Sequence, residues 1–138
     1  MRAAGLLFAV AHAACAQAAL PVAGDWWTPG FSARVRLEPC GSAVCGRIVW
    51  LWDEAPRHIA DERPLLGRVV VAGMLPRGDG RWTDGTLYNP EDGREYRGFF
   101  ELQSPTRLVV EGCVLFVCKS QVWRRADAVR CPPVATER

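Results

Sequence analysis

The feature that most constrains this chain is a repeated alternation of apolar and polar side chains in short runs. Arg34-Val35-Arg36-Leu37-Glu38 takes charged and apolar residues in turn, as a strand with one wet and one dry face requires. Cys45 to Asp53 is rich in β-branched and aromatic residues, and Leu66 to Met74 contains three consecutive valines. Gly85 to Tyr88 and Glu95 to Leu102 flank a turn. Arg107 to Val114 places Leu108 and Val110 on one face and Arg107, Val109 and Glu111 on the other, and Ser120 to Arg125 forms the last run. Clusters of Pro, Gly, Asp and Asn recur at intervals of roughly ten residues, and no stretch beyond the first segment holds a 3.6 period for three turns. The expectation is an all-β, antiparallel up-and-down barrel of about 8–10 strands.

The chain has 138 residues with 49% hydrophobic and 23% charged side chains, which suits one globular domain and excludes a disordered tail. A formal charge of +2 gives no strong overall field to draw nucleic acid or an anionic membrane surface. The first segment reads differently from the rest. Met1-Arg2 is a minimal basic start, Ala3 to Ala14 is almost wholly apolar or small, and Ala16-Gln17-Ala18 has the small-x-small pattern of a signal peptidase site. The apolar run falls short of the ~20 residues needed to span a bilayer. Residues 1–18 are therefore expected to be a signal peptide cleaved after Ala18, and 19–138 a single periplasmic or secreted domain. A lipoprotein start at Cys15 is weaker, because His12 stands where a lipobox carries an apolar residue.

Six cysteines suit an oxidising compartment. Cys40–Cys45 and Cys113–Cys118 each close a four-residue gap between runs that read as strands. Opposed residues in an antiparallel pair lie about 4.5–5.5 Å apart at Cα, within disulfide range. Two hairpin disulfides are expected, each contributing roughly 2 kcal/mol and chiefly locking register. The rival is a four-thiolate zinc site, disfavoured by the wide spacing. Cys131 has no evident partner once Cys15 leaves. Asn89-Pro90-Glu91-Asp92-Gly93 is expected to be a hairpin turn, with Pro setting the first φ and Gly supplying a left-handed residue. It lacks the ligand ladder of a calcium loop.

Gly24-Asp25-Trp26 at the start and Trp123-Arg124-Arg125 at the end resemble the lipocalin and avidin arrangement. There, a first-strand Gly-x-Trp lies under a basic residue from the last strand and plugs one end of the barrel. Gly24, Trp26, Trp123 and Arg125 are the candidate plug. A fuller pattern covers nearly all of the chain after residue 18. It comprises Gly24-Asp25-Trp26-Trp27-Thr28-Pro29, Cys40-Gly41 with Cys45-Gly46 and Ile48, and Trp82, Gly85, Tyr88, Pro90, Gly93 and Tyr96. Gly112 with Trp123 and Arg125 completes it. In order and spacing these motifs resemble the bacterial family called domain of unknown function 2147. One departure is the shortened approach through Asp61 to Arg63-Pro64-Leu65-Leu66-Gly67. The resemblance implies a small exported barrel of lipocalin or fatty-acid-binding-protein type, and no activity.

Catalytic chemistry finds little support in the residues. His58 is the only histidine after residue 18, no nucleophile elbow occurs, and no His/Asp/Glu cluster has metal spacing. The acidic pairs Asp53/Glu54, Asp61/Glu62 and Glu91/Asp92 lie in loop-like sequence, where solvation keeps carboxylates ordinary. No cofactor, metal or nucleic acid is expected, and no membrane span. The aromatics suggest binding instead. Ile48, Trp50 and Trp52 are expected on one strand face, and Tyr96, Gly98, Phe100 and Leu102 on another. Turned inward they would either fill the barrel or line a cavity for one small ligand. Tyr88 and Arg94 would sit near its rim. The candidate ligand-binding residues are Trp50, Trp52, Tyr88, Arg94, Tyr96 and Phe100, and the expected partner is a small lipophilic or amphipathic molecule. A filled barrel acting as a protein-interaction module in envelope maintenance is the alternative, and a hydrolytic enzyme a distant third.

Overall fold

The computed structural model describes residues 21–52 and 64–126. The expected signal peptide, His58, Asp53/Glu54, Asp61/Glu62 and Cys131 lie outside these residues. Eight antiparallel strands follow one another around a closed barrel: β1 (Gly24–Trp27), β2 (Ala33–Cys40), β3 (Ala43–Leu51), β4 (Val69–Gly78), β5 (Arg81–Asn89), β6 (Arg94–Ser104), β7 (Arg107–Val114) and β8 (Val117–Arg125). Each strand pairs with its chain neighbours, and β1 returns to β8. The up-and-down topology sorts the connections into two ends. One carries the tight turns β2–β3, β4–β5 and β6–β7. The other carries β1–β2, β3–β4, β5–β6 and β7–β8. Among the described residues no helix is long and apolar enough to cross a membrane.

Alternation sends one set of side chains inward, as the sequence pattern requires. Val35 and Leu37 of β2, Val71 and Met74 of β4, Trp82 of β5, Phe100 of β6 and Leu108 and Val110 of β7 are buried. The outer wall carries exposed Arg36, Arg47, Arg81, Arg97 and Glu101. An apolar interior with a charged wall is the reverse of a barrel that crosses a bilayer.

The end with the tight turns is plugged. Trp26 is wholly buried and its indole N–H donates to the Val22 carbonyl at 2.9 Å. The Arg125 guanidinium stacks 4.3 Å from the Trp26 ring centroid. Its Nε donates to the Pro105 carbonyl at 2.6 Å, Nη1 to that of Ala23 at 2.8 Å and Nη2 to that of Pro21 at 2.6 Å. On the outer face Asp25 binds the guanidiniums of Arg36 at 2.7 Å and Arg34 at 3.2 Å, tying β1 to β2.

Above the plug, missing side chains decide how tightly the interior fills. A Cβ on Gly85 would stand 2.4 Å from the Met74 sulfur and 2.6 Å from the Ala72 carbonyl, and one on Gly98 2.8 Å from the same sulfur. Met74 therefore packs across two facing glycines and fills this half of the barrel.

Both disulfides are present. Cys113 and Cys118 face each other directly across β7–β8, with Cα atoms 4.1 Å apart. Cys40 stands opposite Ala43, so its bond to Cys45 runs diagonally across the β2–β3 hairpin over 5.8 Å rather than between opposed residues. The two staples hold opposite ends of the barrel. Four thiols spent as two cystines leave no thiolates for the alternative zinc site.

Replacing Trp26 with Ala should remove about 3 kcal/mol or more, because a rigid plug cannot collapse into the space it leaves. The melting temperature is expected to fall by roughly 10 °C or more in a thermal melt followed by near-UV circular dichroism. An unchanged melting temperature would contradict the plug.

Candidate functional site

The opposite half of the barrel is hollow. A cavity of about 430 Å³ opens at the end that carries the β5–β6 and β7–β8 turns. Its walls come from Val35 of β2, Ile48 and Leu51 of β3, Val70 of β4, Leu87 of β5 and Val110 of β7. Trp123 forms part of the floor, its ring 6.3 Å from that of Phe100 in the packed half. Gly112 keeps the wall thin where it passes Tyr96: a Cβ there would meet the Tyr96 Cβ at 3.2 Å.

Polar groups gather at the mouth. Thr28, Ser32, Asn89, Tyr96, Lys119 and Gln121 all reach the cavity lining. Thr28 Oγ1 accepts the Ala33 N–H at 3.0 Å and lies 3.1 Å from Ser32 Oγ, which fixes the β1–β2 connection. The Trp123 indole N–H donates to Gln121 Oε1 at 3.0 Å, orienting that amide on the wall. Arg68 stacks 4.2 Å from the Tyr88 ring.

The β5–β6 turn forms as its residues require. The Gly93 N–H donates to the Asn89 carbonyl at 2.8 Å, with Gly93 at φ 69°. Asn89 Oδ1 accepts the Glu91 N–H at 3.0 Å, and Asp92 Oδ1 accepts the Arg94 N–H at 2.9 Å. The Tyr96 hydroxyl donates to Asp92 Oδ2. That bond, first among the causes, holds the Asp92 carboxyl below its ordinary pKa, and it raises the Tyr96 phenol above its own.

Two of the six candidate ligand residues, Tyr88 and Tyr96, stand on the cavity wall. Phe100 points inward but belongs to the packed half. Arg94 is exposed at the turn. The expectation that Trp50 and Trp52 share an inner face with Ile48 is corrected. Val35 pairs with Ile48, yet the preceding Arg34 pairs with Trp50, so Val49 is an extra residue on β3. Such a bulge reverses the inside–outside phase beyond it. Leu51 turns inward in place of Trp50, and Trp50 packs outside at 90° to Trp27, ring centroids 5.3 Å apart. Trp52 is exposed just past the end of β3. Of the inward positions of β8, Lys119 is missed by starting that strand at Ser120, and Gln121 lies within the strand without being singled out. The two-residue period counted back from Trp123 would have found both.

The pattern of the whole chain agrees with this geometry. A family model described as "Uncharacterized protein conserved in bacteria (DUF2147)" matches residues 24–125. The chain belongs to that family. No curated protein matches the chain. Among solved structures it is similar to HP1028 of the human pathogen Helicobacter pylori, a protein described as belonging to the lipocalin family. The identity is 16%, the match covers 76% of this chain and 82% of that one, and the TM-score is 0.62. At that identity the likeness bears on the fold, a lipocalin-like barrel.

The Asp92–Tyr96 bond gives a pH test. A lowered carboxyl pKa contributes stability that is present above the unfolded value and is lost as pH falls through the folded one. Tyr96→Phe removes the donor, so the Asp92 carboxyl should titrate at higher pH than in the native protein. Carbon-detected NMR titration of the side chain reads this directly, and identical curves for the two proteins would count against the bond.

Proposed function

We propose that this DUF2147 protein binds one small amphipathic molecule, its apolar part in the open half of the barrel and its polar head at the mouth. The observation that carries the reading is a cavity of about 430 Å³ walled by Val, Ile and Leu above a plugged floor. Ligand pockets commonly measure about 300–1,000 Å³ and combine apolar walls with a few orienting polar groups. Burial of a chain in such a space supplies affinity at roughly 25 cal/mol per Å². Lys119, Gln121 and Tyr96 are placed to orient a polar head, and the aliphatic walls offer nothing to react with a tail. The reading is non-catalytic, and it puts the protein, after removal of residues 1–18, in the periplasm or outside the cell. Two cystines in the barrel support that compartment.

A second reading, a protein-interaction module, requires an interior with no room for a ligand. The cavity favours the first. Titration of the exported protein with long-chain carboxylates and lysophospholipids, followed by native mass spectrometry, is expected to give a one-to-one adduct that denaturation removes. Val110→Phe fills part of the cavity from a buried wall position and should weaken that adduct by about tenfold or more. Absence of any adduct from both ligand classes would overturn the reading.

A further inference from the structure

The exposed large apolar side chains of the described residues are distributed very unevenly. They are Phe31, Trp50, Trp52, Leu66, Val69, Leu75 and the run Val114 to Val117. All but Leu75 belong to the open end. The turns at the plugged end are built from Gly41-Ser42, Asp79-Gly80 and Pro105-Thr106, the polar and small residues that turns ordinarily carry. The β7–β8 turn at the open end is Leu115-Phe116 instead, 79% and 100% exposed. The Cys113–Cys118 bond closes directly beneath it, so these side chains are held out in solvent.

The same sector continues around the rim. In the closed barrel β8 adjoins β1, and the β1–β2 connection presents Phe31. Phe31 lies 5.7 Å from Trp27, which in turn carries Trp50. Beyond them the β3–β4 connection presents Trp52 and Leu66. Among the described residues, three of the four connections at this end thus present exposed large apolar side chains. The fourth, the β5–β6 turn with Glu91 and Asp92, stands opposite Phe31.

Charge around the tip favours one partner. Arg97 Nη2 donates to the Leu115 carbonyl at 3.3 Å, at the base of the hairpin tip. Lys119, the single lysine of the chain, stands opposite Gly112, one position below the disulfide. Aromatic and aliphatic side chains beside cations match the boundary between acyl chains and anionic headgroups. A second copy would need a flat, self-complementary face of about 800 Å². A tip that projects on two residues, Leu115 and Phe116, offers no such face.

We propose that the open rim docks on the surface of a bilayer containing anionic phospholipid, with Leu115 and Phe116 inserted among the headgroups. The acidic β5–β6 turn then tilts away from the surface, and the cavity mouth faces the lipid. Docking stands on the exposed rim and does not depend on the ligand reading.

The test is co-sedimentation of the full chain with vesicles of phosphatidylcholine alone or mixed with phosphatidylglycerol. The native protein should pellet with the mixed vesicles, more weakly with phosphatidylcholine alone, and less as salt rises from about 0.1 M to about 1 M. Leu115→Asp with Phe116→Asp should lower partitioning by about tenfold or more while leaving the melting temperature and carboxylate binding in solution unchanged. Equal pelleting of native and variant protein would overturn the proposal, as would no pelleting of either. Sedimentation velocity supplies the rival outcome: a native dimer that the double variant abolishes would make the rim a contact between copies. For the native protein, carboxylate binding without vesicle binding removes docking alone, and vesicle binding without carboxylate binding removes the ligand reading alone.

Discussion

The barrel closes through its weakest seam, and one arginine makes that seam hold. β1 is four residues long and meets β8 over only two registered pairs, Trp26 with Arg125 and Trp27 with Arg124. So short a ladder would fray on its own. Arg125 covers the buried Trp26 ring and binds carbonyls from the segment before β1 and from the β6–β7 turn. Those contacts join parts of the chain about a hundred residues apart in sequence, as the separations of the Ala23 and Pro21 bonds show. A guanidinium suits this role because its planar fork donates in several directions while its face lies on a ring. Lysine, whose three donors share one nitrogen and which has no planar face, could not reach three separated carbonyls and stack as well.

Closure at one end lets the other end stay open. The packed half gains its density from Met74 lying across Gly85 and Gly98, with Trp82 and Phe100 beside it. Val, Ile and Leu line the other half, and its larger side chains, Tyr88, Tyr96 and Trp123, stand on its wall and floor. A cavity of this kind forfeits dispersion contacts along its walls. The filled half, the plug and the two cystines offset that loss, so the hollow half need not be tightly packed for the barrel to persist.

Much of this architecture is legible in the chain because a two-residue period carries it directly. Val35 and Leu37, Leu108 and Val110, and Tyr96 through Leu102 all turn the way their alternation requires. The hairpin cystines follow from spacing, and the plug from Gly24, Trp26 and Arg125 at the chain's two ends. The site is less legible, for a local reason. One extra residue at Val49 leaves the composition of β3 untouched and reverses everything after it, so Trp50 exchanges places with Leu51. Nor does a period say how far along the barrel axis an inward residue lies. Tyr96 and Phe100 share a face of one strand, yet Tyr96 reaches the cavity and Phe100 is packed below it. Depth depends on strand stagger and on which facing positions are glycine, both properties of the assembled sheet.

The two ends of the barrel consequently obey different rules with the same materials. Each carries a hairpin cystine spanning five positions, but the chain between them differs. Gly-Ser-Ala-Val between Cys40 and Cys45 makes a turn that water solvates; Val-Leu-Phe-Val between Cys113 and Cys118 makes one that water does not. Rigid exposure of Phe116 opposes the hydrophobic effect in the isolated molecule, because an unstapled hairpin could fold its tip back over an apolar surface. The cystine removes that escape. An apolar tip that is both costly in water and locked in place next to the mouth of an apolar cavity is most simply accounted for by an apolar phase outside the protein.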